Sequence, residues 1–306
     1  MQTVLQKSKG LLHFCIRSMK RERWINWGLF LLLSFIWGSS FILMKISREA
    51  LNGVQIGATR IFAAGIFFLP AAVFHVFKIP RNKLLLVALC GLLGNLFPAF
   101  LFGIAIEHHM ESALAGILNS LTPLFVILIA LLFGAAFQAR KIIGVLIGLA
   151  GLVILSLSKS GIHTGNMQHA FLIVLATFMY GLNVNIVARY LKGVQPIKIA
   201  TVSLALMALP AGIVLAQQHV FSIARYDEAA LLPIAAAVLL GVMGSAVANV
   251  LFYLLIRRAG GLFASMVTYV IPIIAISWGV LAHEQVTLLQ VFCLAVILGG
   301  VYLVNR

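Results

Sequence analysis

Charge is what this chain has least of. Only 9% of its 306 residues are Asp, Glu, Lys or Arg, against 62% hydrophobic, and the mean hydropathy is +1.11. A soluble fold needs far more polar surface, so the composition places the chain in a bilayer. Acid is scarcest of all. The seven carboxylates are Glu22, Glu49, Glu107, Glu111, Asp227, Glu228 and Glu284, each at the end of an apolar run or between runs. Proton-coupled carriers usually hold a carboxylate or histidine within the membrane, and none of the seven is so placed. That favours facilitated export or exchange. Cysteine is limited to Cys15, Cys90 and Cys293, without metal or redox spacing, so disulfides and zinc are not expected. Nucleophile elbow, HExxH and phosphate-loop signatures are all missing, which leaves no catalytic residue, metal or cofactor to expect. His108, His109 and Glu111 resemble a metal cluster, but neighbouring histidines on a helix face different ways.

What the chain does have is long apolar runs. A membrane-spanning helix needs roughly 20 mostly apolar residues. Ten runs qualify: Trp24–Met44, Gly57–Phe77, Leu84–Ile106, Ala113–Phe133, Ile142–Leu157, Phe171–Val187, Ile199–Ala216, Leu232–Ile256, Phe263–Ala282 and Leu288–Val304. They are continuous rather than alternating, which excludes a β-barrel. The formal charge of +15 does not point to nucleic acid, because the basic residues sit in short loops between runs. With the N-terminus inside, 17 of the 22 basic residues face the cytoplasm, all but Lys45, Arg48, Arg60, Lys159 and Arg225. The positive-inside rule therefore puts both termini in the cytoplasm. Residues 1–23 form a basic N-terminal segment whose apolar piece, Leu11–Ile16, is too short for a signal peptide. Two readings fit it: translation beginning at Met19, or a disordered basic tail at the membrane surface.

One stretch occurs twice. LFGIAIEHHMESALAGILNSLTPLFVILIALLFG begins at Leu101, and LFYLLIRRAGGLFASMVTYVIPIIAISWGVLA begins at Leu251. Leu101–Phe102 matches Leu251–Phe252, Pro123 matches Pro272, Trp37–Gly38 matches Tyr180–Gly181, Leu69–Pro70 matches Leu209–Pro210, and Gly151 matches Gly300. The order of these landmarks is preserved, so the chain is two five-helix units, 24–158 and 168–304. Five is odd, which inserts the second unit upside down. The expected fold is an all-α membrane protein of ten helices in two inverted repeats, an architecture of secondary transporters with the site near the midplane.

The segments WGSSFILMK (Trp37–Lys45), ATRIFAAGIFFLP (Ala58–Pro70) and HEQVTLLQVFCLAVILGGVYLV (His283–Val304) resemble the EamA family of the drug/metabolite transporter superfamily. The likeness extends over nearly all of the chain from Met19, as two EamA-like repeats. It implies a ten-helix secondary transporter, often an exporter of amino acids or other metabolites, in the cytoplasmic membrane. The family commonly carries Gly-Glu after the fourth span. This chain reads FGAAFQARK there (Phe133–Lys141), and His283–Glu284 at the second position.

Transport needs polar groups that face a cavity inside the bundle. Ser245, Asn249 and Tyr253 recur every four residues and make one polar stripe on a helix. Asn119 with Thr122, Tyr180 with Asn183, and Trp37 with Ser40 share faces at i,i+3. Asn95 matches Ser245 at a spacing of 150, and Tyr269 is a further candidate. Amides, hydroxyls and rings suit a small polar or aromatic substrate. The same groups equally serve as hydrogen-bonding glue between helices. Lys45, Arg60, Glu107 and Glu284 are candidate gating charges; Lys45 and Arg60 either snorkel or draw a substrate carboxylate. Pro123 and Pro272 are candidate hinges, since each removes a backbone donor. Gly144, Gly148 and Gly151 form either a seam within the bundle or a homodimer contact. The expected partners are a small-molecule substrate and the lipid bilayer. Two other readings remain: an intramembrane enzyme modifying a lipid or isoprenoid through the His108–Glu111 turn, and a lipid-carrier flippase.

Overall fold

The computed structural model describes residues 2–107, 118–159, 167–271, 273–274 and 288–305. Among them every regular element is helical. The helices are α1 (Gln2–Ser47), α2 (Gly53–Val76), α3 (Arg81–Gly91), α4 (Phe97–Glu107), α5 (Thr122–Leu132), α6 (Ala139–Lys159) and α7 (Met167–Arg189). They continue with α8 (Pro196–Gln217), α9 (Val220–Tyr226), α10 (Leu231–Leu239), α11 (Ala248–Ala259), α12 (Gly261–Ser265) and α13 (Leu288–Asn305). Six described stretches are long and apolar enough to cross a membrane: Glu22–Ser47, Gly53–Val76, Arg81–Ala105, His169–Arg189, Pro196–Gln217 and Glu228–Ala259. Shorter apolar helices are Thr122–Leu132, Gly261–Ile271 and Ala295–Val304. α1 begins at Gln2, so its range takes in the basic segment.

Local chemistry sets the ends and breaks. Asn52 caps α2 through a capping box: its side chain accepts from the Gln55 N–H (2.8 Å), and Gln55 Oε1 accepts from the Asn52 N–H (2.9 Å). Glu107 Oε2 adds a bond from the Gly53 N–H at 3.1 Å, a negative charge at the positive end of the helix. Two membrane-length stretches are interrupted by π-helical segments, Leu92–Leu96 between α3 and α4 and Leu240–Val247 between α10 and α11. At the 150-residue spacing of the repeat, the first maps inside the second. Pro98 follows the first, and Gly241 and Gly244 lie within the second, residue types at which a helix departs from regular bonding. The fourth apolar run is also broken. A turn at Ser120–Leu121 precedes α5, so Pro123 stands in the first turn of a helix, not at its middle. The expected mid-helix kink at Pro123 is therefore a helix start, where the missing N–H is unneeded. Its partner Pro272 lies outside the described residues.

Packing follows the duplication. α2 packs on α8, its own counterpart, and α6 packs on α13, likewise its counterpart. The contact of α1 with α10 and α11 is matched by the contact of α7 with α4. The α6–α13 seam is backbone on backbone. A Cβ on Gly300 would stand 2.6 Å from both the Gly144 carbonyl oxygen and the Gly148 nitrogen, and one on Gly144 would meet the Gly300 carbonyl at 2.9 Å. Gly151 faces Val296 and Ile297 on α13. The GxxxG face is thus occupied within the chain, which decides between the two readings of these glycines. The outward surfaces carry large apolar side chains, among them Phe67, Phe74, Leu85, Leu132, Phe171, Leu209 and Leu232, as a lipid-facing surface requires.

Candidate functional site

The broken helices meet around one internal space of about 140 Å³. That is close to the ~150 Å³ of a cavity that accepts benzene. Its walls come from both halves of the chain. α1 gives Trp37, Ser40 and Met44, and α7 gives Tyr180 and Asn183. The first π segment gives Asn95 and the second Gly244 and Ser245. Phe102 comes from α4, and Asn249 and Phe252 from α11. Asn119 and Thr122 line it at the break before α5, and Ser265 and Thr268 at the corresponding break after α12. The two breaks touch: Ser120 Oγ donates to the Thr268 carbonyl at 3.4 Å.

The wall is itself duplicated. Trp37 packs its ring on Phe252 (centroids 5.2 Å apart), and Tyr180 packs on Phe102 (6.3 Å). These are the matched positions of the repeat, so each aromatic pair joins the first helix of one half to the third helix of the other. Ser40 and Asn183 correspond at the spacing that relates Trp37 to Tyr180, as do Asn119 and Thr268 at that of the two prolines. Polar groups converge between the rings. Asn249 Nδ2 donates to Asn95 Oδ1 at 2.6 Å and to the Ser245 carbonyl in the second π segment at 2.7 Å. Trp37 Nε1–H donates to the Gly244 carbonyl at 2.9 Å. Arg60, on α2, donates through Nε to Ser245 Oγ at 2.6 Å and through Nη2 to the Gly244 carbonyl at 3.4 Å. Three buried amide atoms of residues that line this space have no hydrogen-bond partner among the described residues: Asn95 Nδ2, Asn119 Oδ1 and Asn183 Oδ1. Buried polar atoms are normally paired. One donor and two acceptors left open are what a substrate with polar groups would complete.

Nine of the eleven sequence-derived binding candidates line this space: Trp37, Ser40, Asn95, Asn119, Thr122, Tyr180, Asn183, Ser245 and Asn249. Tyr253 and Tyr269 do not. Tyr253 is fully buried behind the wall, and its hydroxyl accepts from Asn183 Nδ2 at 3.4 Å. Tyr269 lies with its ring against Gly148 and donates to the Val145 carbonyl at 2.9 Å, bracing α6. Tyr253 lies one regular turn beyond Asn249 on α11, but its hydroxyl is engaged by Asn183 within the packing instead of lining the space. Of the candidate charges, Arg60 lines the cavity, deeper than the rim position expected. Glu107 lines a second space of about 340 Å³ with Arg48, Glu49 and Gly53, and Met44 borders both spaces. Lys45 is exposed on α1, and Glu284 and the His108–Glu111 turn lie outside the described residues. Sequence reasoning passed over Phe102, Phe252 and Thr268. The repeat spacing was the available signal, since each is the partner of a residue already singled out or already matched.

Trp37→Phe tests one wall contact. It keeps an aromatic ring beside Phe252 and removes the N–H to Gly244 together with part of the indole's packing. The expected loss is at least about 1 kcal/mol of stability, the usual net value of one hydrogen bond, read as a fall in melting temperature in detergent micelles.

An all-helical bundle with apolar outer surfaces and a small polar cavity between duplicated halves belongs to the class of multi-pass membrane transporters. The chain is a member of the EamA-like transporter family, whose model matches residues 25–157 and again 167–306. This is a transporter family of the drug/metabolite transporter superfamily, not an enzyme family. Among relatives, the chain is 27% identical over 285 residues to the uncharacterized inner membrane transporter YedA of Escherichia coli K12, covering 89% of this chain and 88% of that protein. YedA of Escherichia coli O157:H7 matches to the same extent. One solved crystal structure superposes with a TM-score of 0.64 at 19% identity over 90% of this chain and 94% of the other, a likeness of fold.

Proposed function

We propose that the protein is a ten-span secondary transporter of the cytoplasmic membrane that exports a small polar or aromatic metabolite by alternating access. Both termini are cytoplasmic, and the two five-helix units are inverted relative to each other. The observation that carries this reading is the cavity itself, built from matched positions of both halves and lined by three residues whose buried amide atoms lack partners among the described residues. Helices broken at that depth, by π segments and by the turns near Ser120 and Met266, give the backbone freedom that rocking of one half against the other requires. The larger space beside Glu107 and Glu49 lies on the side taken as external and shares Met44 with the cavity. Its acids and Arg48 make a wet mouth rather than a lipid-facing wall. The inner membrane location rests on the basic loops, on the family and on YedA.

The test is comparison of intracellular and medium metabolites, by mass spectrometry, in cells with and without the protein. Any compound that moves is then followed in proteoliposomes. A compound depleted inside, enriched outside and transported by the purified chain is the expected result. Unchanged pools together with no flux in liposomes would reject the transport reading. Met44→Trp offers a second check. A larger side chain at the residue shared by the two spaces is expected to slow flux several-fold, while purified protein stays monodisperse.

A further inference from the structure

The walls of the cavity are neutral with one exception. Arg60 is the only charged residue among the described residues that line it. Its described bonds go to a hydroxyl and a carbonyl, Ser245 Oγ and Gly244 O, and among the described residues no carboxylate pairs with it. A guanidinium has five N–H donors in a fixed fork. Here Ser245 holds the Nε edge, which fixes the direction of the plane. The duplication also stops at this residue. The 140-residue spacing that relates Leu69–Pro70 to Leu209–Pro210 places Ala200 opposite Arg60, and Ala200 is fully buried. A two-fold neutral shell therefore contains one positive pole and no negative one. Asn95, Asn119 and Asn183 line the same space, and Asn95 Nδ2, Asn119 Oδ1 and Asn183 Oδ1 have no hydrogen-bond partner among the described residues.

We infer that the cavity selects organic monoanions, with the substrate carboxylate on the Arg60 fork and a neutral hydroxyl or N–H on the Asn119 or Asn183 side-chain oxygens. This rests on the transport reading above and narrows its substrate class. The physical reason is charge balance at low dielectric. A monoanion makes the occupied cavity neutral. A zwitterion brings an ammonium for which the described wall has no carboxylate, leaving a net positive charge away from water, and a cation meets like charge. A planar carboxylate also matches a guanidinium fork in a way that a single hydroxyl cannot. The roughly 140 Å³ of space limits the remainder to a small body, which the rings of Trp37 and Tyr180 would flank.

Binding is measured on the purified full-length chain in detergent by equilibrium dialysis against matched triads, each a 2-hydroxy acid, the amino acid of the same side chain, and the corresponding amine. Lactate, alanine and ethylamine make one triad; 3-phenyllactate, phenylalanine and phenethylamine make another. In at least one triad the hydroxy acid is expected to be retained ten-fold or more over the amino acid, with no retention of the amine. Arg60→Gln is expected to abolish that preference, and Arg60→Lys to preserve it in part. The inference is overturned if the amino acid or amine is held as well as the acid, if the preference persists in Arg60→Gln, or if neither acid is retained. Should Arg60→Gln not fold, the wild-type ranking and Arg60→Lys still decide. Flux in proteoliposomes separates the two readings. Transport of zwitterions without anion preference defeats this inference and leaves transport standing. Anion-selective binding with no flux of any bound compound defeats the transport reading alone.

Discussion

Gly300→Leu is expected to prevent assembly of the bundle, whereas Gly299→Leu, one residue away on the same helix, is expected to be tolerated. The two glycines differ only in what surrounds them. A Cβ on Gly299 meets nothing within 4 Å, while one on Gly300 enters the backbone of α6 at 2.6 Å from Gly144 O and Gly148 N. Side chains yield to an intruding methyl group by changing rotamer; a helix backbone does not. The seam can admit a leucine in place of Gly300 only by moving α13 off α6 along its length, which opens contacts at Cys293, Ile297, Val301 and Val304, all buried. Overpacking in a well-packed core reaches roughly 3 kcal/mol, and backbone-on-backbone contact belongs at that end of the range. The measurement is size-exclusion profile and melting temperature in micelles. A monodisperse Gly300→Leu protein with wild-type melting would refute the seam.

The second large effect separates binding from glue. Asn249→Leu is expected to reduce transport at least about ten-fold, some 1.4 kcal/mol, in protein that still folds. Leucine keeps the branched shape and heavy-atom count of asparagine but removes both the bond to Asn95 and the bond to the Ser245 carbonyl. Asn95 Oδ1 then loses the donor that Asn249 supplies, and the second π segment loses its clamp next to Arg60. The control is Asn185→Leu. Asn185 is an equally buried amide on α7, donating to Val126 O at 3.0 Å and Gly181 O at 2.9 Å, and it does not line the central cavity. Its loss is expected to lower stability by roughly 1–3 kcal/mol and leave flux per folded molecule near wild type. Equal flux defects in the two variants would mean that Asn249 acts only as glue.

Much of this protein was already legible as a string of residues. Composition forces the membrane, because 9% charge cannot cover a soluble surface. Run length forces helices, because only helices satisfy every backbone group in lipid within one short segment. The ordered recurrence of Trp37–Gly38, Phe102 and Gly151 in the second half reveals the duplication, and duplication predicts a shared polar centre. Spacing even names most of the wall, since i,i+3 and i,i+4 neighbours share a face on any regular helix.

What spacing cannot supply is the direction of a face, and tertiary packing decided that. Tyr253 continues the Ser245–Asn249 stripe in the sequence, yet it is fully buried with its hydroxyl held by Asn183, 70 residues away. Tyr269 looks like one more polar aromatic in the repeated stretch, yet only the approach of Gly148 on a distant helix shows that it braces the bundle. Gly144 and Gly148 make a motif that fits a dimer as well as a seam, until Gly300 is seen to fill it. Arg60 reads as a rim residue by its distance from a loop, but its side chain finds Ser245, 185 residues away, and so enters the cavity. Each of these outcomes depends on a neighbour remote in the chain. That is why the doubled stretch announces where the site lies, and only the folded bundle says which of its residues face it.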